Sequence, residues 1–267
     1  MKRKIMVLAT LLFAALQVAS AQCKIENTFF KNGEVLTYDM YFKLGFTSTK
    51  AGKLSLSVEK GSYDGKGDHK MIFQSNTSGI ANSLYAVHDT LYAYTTKDIV
   101  PMVYIKDAFE GSDYTQEELH YTYKSDGKVD VQTKRKKNGD FRFDEVQTAD
   151  GCIYDIVSVV YYARTLDFEN MKKGDKTNIN FISGRVMSNI EIEYNGTKRV
   201  KGNDGKRYDT SELSLKFVAG NEKNKEMMKV FITNDKNRVP IEIHTNLKKM
   251  GSIRAVIKTQ KNLRNVE

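Results

Sequence analysis

Tryptophan is absent from the 267 residues, proline and cysteine occur twice each, and histidine occurs four times. Together with 40% hydrophobic and 28% charged residues, these counts exclude collagen-like, low-complexity and multi-pass membrane classes. Beyond the N-terminus, no run approaches the roughly 18 consecutive apolar residues that a membrane-spanning helix needs. His69, His88, His120 and His244 are dispersed, and HExxH, CxxC and EF-hand patterns are missing, so no metal centre is expected. Walker A, dinucleotide and G-x-S-x-G signatures are missing too, which leaves neither a phosphate cofactor nor an activated serine to expect. The expectation is a chain without cofactors. No low-complexity tract or long internal repeat breaks it up.

What is present begins with a leader. Met1-Lys2-Arg3-Lys4 is a positive n-region, Ile5 to Val18 is a short apolar stretch, and Ala19-Ser20-Ala21 is a small-x-small cleavage signature. A signal peptide over 1–21, cut between Ala21 and Gln22, predicts a periplasmic or secreted mature chain. Cys23 lies close enough to the cut to raise lipidation, but a lipobox carries a small residue just before the cysteine, and Gln22 stands there instead. The unlipidated form is expected. Losing Lys2, Arg3 and Lys4 lowers the net charge from +9 to +6. Export also removes nucleic acid as a partner. The run Lys134-Arg135-Lys136-Lys137 reads as a solvated strand edge that resists aggregation, with attraction to an anionic envelope surface as the functional alternative.

Cys152 is the only other cysteine. An even count in an oxidising compartment favours a Cys23–Cys152 bridge, worth up to about 4–5 kcal/mol in the chain-entropy model.

Most of the mature chain has period two. Leu36, Tyr38, Met40, Phe42, Leu44 and Phe46 share one face of a strand, and similar alternation recurs at Leu54/Leu56/Val58, Ile190/Ile192/Tyr194, Leu213/Leu215/Phe217 and Ile253/Ala255/Ile257. Asp64-Gly65, Asp126-Gly127, Asn138-Gly139, Asn195-Gly196 and Asp204-Gly205 supply the turn chemistry of hairpins, so neighbouring strands should be antiparallel. Pro101 and Pro240 suit strand edges or starts. Gly220 to Lys225 reads as a mobile tip. One segment breaks the period: Ile153, Ile156, Val157, Val160 and Tyr161 follow helical spacing, with Asp150 as a cap and Gly174 past the end. The predicted fold is mainly β, a strongly curved open sheet or half-barrel of long antiparallel strands with one helix near 152–166 on its concave side. Residues 22–267 should form a single domain, with a seam near the helix at 150–175.

The order and spacing of several short motifs identify a resemblance. Phe30-Lys31-Asn32-Gly33-Glu34-x-Leu36-x-Tyr38, Ala51-Gly52, Tyr85-x-Val87-x-Asp89, Pro101 and Glu110-Gly111 resemble the N-terminal half of the domain of unknown function 3108 family. Tyr154-Asp155-x-x-Ser158, Tyr161-Tyr162-x-Arg164, Gly174-Asp175, Asp235-x-Asn237-Arg238-x-Pro240-Ile241 and Gly251-Ser252-Ile253 match its C-terminal half. The resemblance implies an exported bacterial β-rich protein and carries over no activity or site residues.

Function must therefore come from the residues. A helix against a concave sheet leaves Tyr154, Asp155, Tyr161, Tyr162 and Arg164, with Glu34, as candidates to line a cleft for a lipid, glycan or other hydrophobic ligand. The competing structural reading has the tyrosines capping the core and Arg164 paired to Asp155 or Glu34. Glu34, Asp39, Asp89, Glu110 and Asp155 are the acids available for a carboxylate pair, although ordinary surface or turn positions account for all five. His88 and Asp89, adjacent in a strand, should face opposite ways. The leading expectation is an exported binding or scaffold protein without catalysis. The alternatives are an envelope glycan or lipid hydrolase using carboxylates around Asp155 and Glu34, and a purely structural partner with an exposed apolar patch.

Overall fold

A computed structural model describes residues 23–44, 47–218, 225–246 and 251–265. The expected signal peptide, Phe46 and all of the expected mobile tip except Lys225 lie outside these residues. Mainly β structure is what the alternating pattern predicts, and fifteen strands form one sheet that curls into a nearly closed barrel.

The first half of the chain is a meander of eight strands: β1 (Val35–Leu44), β2 (Thr47–Lys60), β3 (His69–Thr77), β4 (Val87–Thr95), β5 (Pro101–Glu110), β6 (Asp113–Tyr123), β7 (Lys128–Lys137) and β8 (Asp140–Asp150). The second half holds the two-residue β9 (Ile153–Tyr154), then β10 (Lys176–Ser183), β11 (Val186–Lys201), β12 (Arg207–Phe217), β13 (Glu226–Thr233), β14 (Pro240–Asn246) and β15 (Ser252–Lys261). β15 pairs with β1, so the two meanders join into the order β8 through β1, then β15 back to β9. Pro101 and Pro240 each begin a strand, where no ladder N–H is missed.

Three details differ from the sequence reading. Asn195-Gly196 lies inside β11, where the register slips between Tyr194 and Thr197, so it makes a bulge rather than a hairpin. β9 runs parallel to β10, the exception to antiparallel pairing. A short helix, α1 (Gly79–Leu84), links β3 to β4 and buries none of its residues, so no amphipathic pattern marks it.

The expected helix is α2 (Ile156–Ala163), shorter than predicted and capped by Asp155 instead of Asp150. Asp155 accepts from the Val157 and Ser158 backbone N–H groups, and Ser158 closes a capping box. Six of its residues are buried, including Val157, Val159, Val160 and Tyr161, because it lies inside the barrel. Val157 and Tyr161 pack into a core with Val58, Met71, Leu119 and Val131, and Val159, Val160 and Ala163 into one with Leu36, Ile192, Leu213 and Ile241. A helix apolar on most sides needs such an enclosed place.

The edge strands β8 and β9 do not pair with each other. The turn between β10 and β11 bridges the gap. Gly184 donates its N–H to Glu117 of β6 at 3.0 Å, its carbonyl accepts from the Thr133 hydroxyl of β7 at 2.8 Å, and Arg185 reaches Glu145 of β8 at 3.1 Å.

The chain's two cysteines form a disulfide between Cys23 and Cys152, with Cα atoms 5.4 Å apart. Because successive strands alternate in direction, their connections divide between two ends. The disulfide, the β13–β14 turn and the start of β1 lie at the base. The β10–β11 turn, the β5–β6 turn and α1 lie at the mouth.

Candidate functional site

Of the residues expected to line a cleft, most are enclosed at the base and interior instead. Glu34 and Arg164 are 0% and 1% exposed and form a two-pronged ion pair, with Nη1 to Oε1 at 2.6 Å and Nη2 to Oε2 at 3.0 Å. Arg164 also donates to the Asn237 carbonyl at 2.8 Å and lies over the rings of Phe30 and Tyr161. Tyr154 and Tyr161 are buried, and Tyr162 packs on Tyr154 with ring centroids 4.9 Å apart. Burial raises the Asp155 carboxyl, against hydrogen bonds from Ser158 and Val157 that favour its charged form. The structure thus brings Glu34, Tyr161 and Arg164 together in one buried network, and chooses Glu34 over Asp155 as the partner of Arg164.

The reading of five surface acids needs correction. Glu34 and Asp155 are enclosed, and Asp39 is nearly so, where it pairs with Lys50 at 2.6 Å and accepts from Asn203. Asp89 and Glu110 lie elsewhere, in a cleft of about 500 Å³ between the two meanders at the mouth.

Cross-strand register builds one wall of this cleft. Lys106 of β5 faces Glu117 of β6, and Glu117 faces Arg135 of β7, giving a row of alternating charge across three strands. Glu110 lies four residues along β5 from Lys106 and pairs with it at 3.3 Å. Asp89 of β4 pairs in register with Ala108, which makes Glu110 its diagonal neighbour on the same face. His88 points the other way and meets Asn76, as alternation predicts. Arg135 belongs to the basic run read as a solvated edge, yet it points inward: its Nε donates to Glu117 Oε2 at 2.7 Å, and Glu117 is 2% exposed.

The opposite wall comes from α2 and from β10 to β13. It comprises Ile156, Phe181, Ser183, Val186, Ser188, Phe217 and Met227, with no charged group among them. The cleft is therefore two-faced, with charge on one side and apolar and hydroxyl groups on the other.

Asp89 is the least satisfied group in it. Its Oδ1 is buried and has no hydrogen-bond partner. Desolvation, reinforced by the neighbouring Glu110 carboxylate and opposed by Lys106, pushes its pKa up to about 7. Exposed large apolar side chains also gather at this end. Ile80, Leu84, Tyr85, Phe109, Phe141, Val186, Met187 and Val218 all lie in or beside mouth connections, and among the described residues only Val146, midway along β8, does not.

Glu117 and Arg135 were legible as inward-facing, since each continues the alternation of buried neighbours, Leu119 and Tyr121 on β6 and Val131 and Thr133 on β7. Their charge argued for solvent and obscured the period. Among the described residues, no group of three or more His, Cys, Asp or Glu is placed to hold a metal ion.

A model of the family described as Protein of unknown function (DUF3108) matches residues 37–258. The chain belongs to that family. The DUF3108 match takes in the cleft and α2, and it stops short of Cys23 and Glu34. Among solved structures, this DUF3108 chain is similar to a beta-barrel-like protein of domain of unknown function DUF1849 from Brucella abortus. The TM-score is 0.57 at 8% identity, over 85% of this chain and 96% of that one. That likeness shows the fold alone. A protein of YmcC-like fold from Bacteroides fragilis aligns at TM-score 0.35 and 11% identity over 88% of this chain and 100% of its own. Comparison with curated proteins found no match.

Among the described residues, no helix is long and apolar enough to cross a membrane. The disulfide fits an extracytoplasmic compartment. It also engages the Cys23 sulfur that a lipid thioether would require.

Proposed function

We propose that the chain is an exported binding protein that holds one amphiphilic molecule in the mouth cleft. The observation that carries this reading is the division of the cleft into a charged wall and an uncharged one. Such a division suits a ligand with an apolar body and a polar end. A volume of about 500 Å³ falls within the range of small-molecule sites. Exposed apolar side chains gather around the mouth, where an apolar body would enter.

The carboxylate-pair hydrolase finds less support. Glu34 is held by Arg164 and Asp155 by the helix cap, so neither carboxylate is available to a substrate. Of the two acids in the mouth cleft, Glu110 is paired with Lys106 at 3.3 Å, which leaves Asp89 without a second free carboxylate to work with.

The test is extraction and mass spectrometry of protein purified from its native envelope, followed by titration of the emptied protein with an apolar fluorescent probe such as N-phenyl-1-naphthylamine. A copurified amphiphile, or saturable binding near one probe per chain, is expected. Neither a bound molecule nor saturable probe binding would overturn the reading.

A further inference from the structure

We infer that the charged wall of the cleft is a subsite for one primary ammonium group, the head of the bound amphiphile. The inference rests on the amphiphile reading and specifies the ligand's chemistry.

The charges on that wall are almost all spoken for. Glu117 gives one oxygen to the Gly184 N–H and the other to Arg135. Glu110 has Lys106 at 3.3 Å. Asp89 is held on one side by the Phe109 backbone N–H and lies beside Glu110, and its enclosed Oδ1 has no hydrogen-bond partner. Among the described residues three carboxylates face two cations, so one negative charge is uncompensated when all are ionised. The missing complement is a single positive charge that brings hydrogen-bond donors.

A primary ammonium supplies both, with three N–H donors on a compact head that can bridge Asp89 and Glu110. A hydroxyl supplies one donor and no charge. A quaternary ammonium supplies charge and no donor, and a carboxylate or phosphate meets charge of its own sign next to Asp89. The opposite wall offers the head only the neutral Ser183 and Ser188 hydroxyls, while Phe181, Phe217 and Met227 are there to take an alkyl chain.

The groups that face Asp89 are Glu110 and Lys106 on β5, Glu117 on β6, Arg135 on β7 and the Tyr104 hydroxyl; α2 and β10 to β13 present no charged group to the cleft. Because Asp89 titrates near pH 7, the ammonium preference should be strong at pH 8.5 and weak at pH 5.5.

The experiment displaces N-phenyl-1-naphthylamine from the full mature protein with four probes of one chain length: dodecylamine, dodecyltrimethylammonium, dodecanol and dodecanoate. At pH 8.5 dodecylamine is expected to compete at least about tenfold better than each of the others, the worth of a charge-assisted hydrogen bond. Asp89→Asn should abolish the preference, bringing dodecylamine down to the level of the other three probes. The pH series on the unaltered chain tests the same point without any variant. Equal competition by all four probes, or a preference that survives at pH 5.5 and in Asp89→Asn, would overturn the inference while the amphiphile reading stands. Competition by none would sink both.

Discussion

Arg164 shows how a residue with the chemistry of a ligand-binding group can instead hold a fold together. Its guanidinium ties the start of β1, through Glu34, to the β13–β14 turn, through Asn237, and its flat faces rest on Phe30 and Tyr161. Removing one partner of a fully buried pair strands the other charge, so Arg164→Met should cost about 3–5 kcal/mol in urea unfolding. The double variant Glu34→Leu/Arg164→Met should recover much of that loss, because no buried charge remains, and a double loss equal to the sum of the singles would contradict this account. Asp89 behaves in the opposite sense. Its folded pKa near 7 lies above the unfolded carboxyl value near 4, so its stabilising contribution is present in acid and is lost as pH rises from about 4 through 7. Asp89→Asn should therefore stabilise the protein above pH 7, by about 1–2 kcal/mol once solvent at the mouth is allowed for, and change little at pH 4. Thermal melts of both proteins across that range measure it. A carboxyl that is costly to the fold in this way is what a site retained for binding looks like.

At the scale of elements, α2 and the β10–β11 turn do the positioning. The cap at Asp155 fixes where α2 begins, and so where Ile156 meets the cleft. Asp155→Ala should cost about 1–2 kcal/mol and also remove the acceptor of the Tyr121 hydroxyl, read by denaturant unfolding. At Gly184, with φ of +59°, a Cβ would meet Arg135 at 2.7 Å and Glu117 at 3.3 Å. Gly184→Ala should loosen the bridge between the meanders, seen as faster amide exchange in the β10–β11 turn and weaker probe binding in the cleft. Much of this level was legible in the chain. Alternation marked the strands, proline their starts, Asn138-Gly139 the β7–β8 turn, and a change of period the buried helix. The helix boundary moved because Ile153 and Tyr154 extend along β10 before the cap, and apolar spacing alone does not separate two extended residues from a first helical turn. Asn195-Gly196 became a bulge because the same backbone freedom that turns a hairpin also accommodates a slipped register.

On the proposed reading the molecule separates stability from binding along the barrel axis, with the disulfide and the Arg164 network at the base and the two-faced cleft at the mouth. Nothing in a short window of sequence announces that cleft. Its walls draw on residues from Asp89 to Arg135 and from Ile156 to Met227, and the pairing of β1 with β15, together with the β10–β11 turn, is what brings them face to face. The base was easier to foresee, because two cysteines leave one intramolecular pairing. The Cys23–Cys152 bridge spans a sequence separation of 129 residues and anchors the segment that lays Phe30, itself fully buried, against Tyr161 at 4.9 Å and beneath Arg164. Reduction should therefore do more than relax a long loop. It should let the N-terminal segment fray and expose one face of the buried ion pair. Paired Cys23→Ser and Cys152→Ser substitutions should lower stability by about 2–5 kcal/mol, and denatured oxidised protein should show no free thiol until a reductant is added. Because the cleft lies at the other end, the variant should still bind the apolar probe with near-native affinity well below its melting temperature. Loss of probe binding in a chain that remains folded would mean that base and mouth are coupled through α2, and that the division of labour along the axis is wrong.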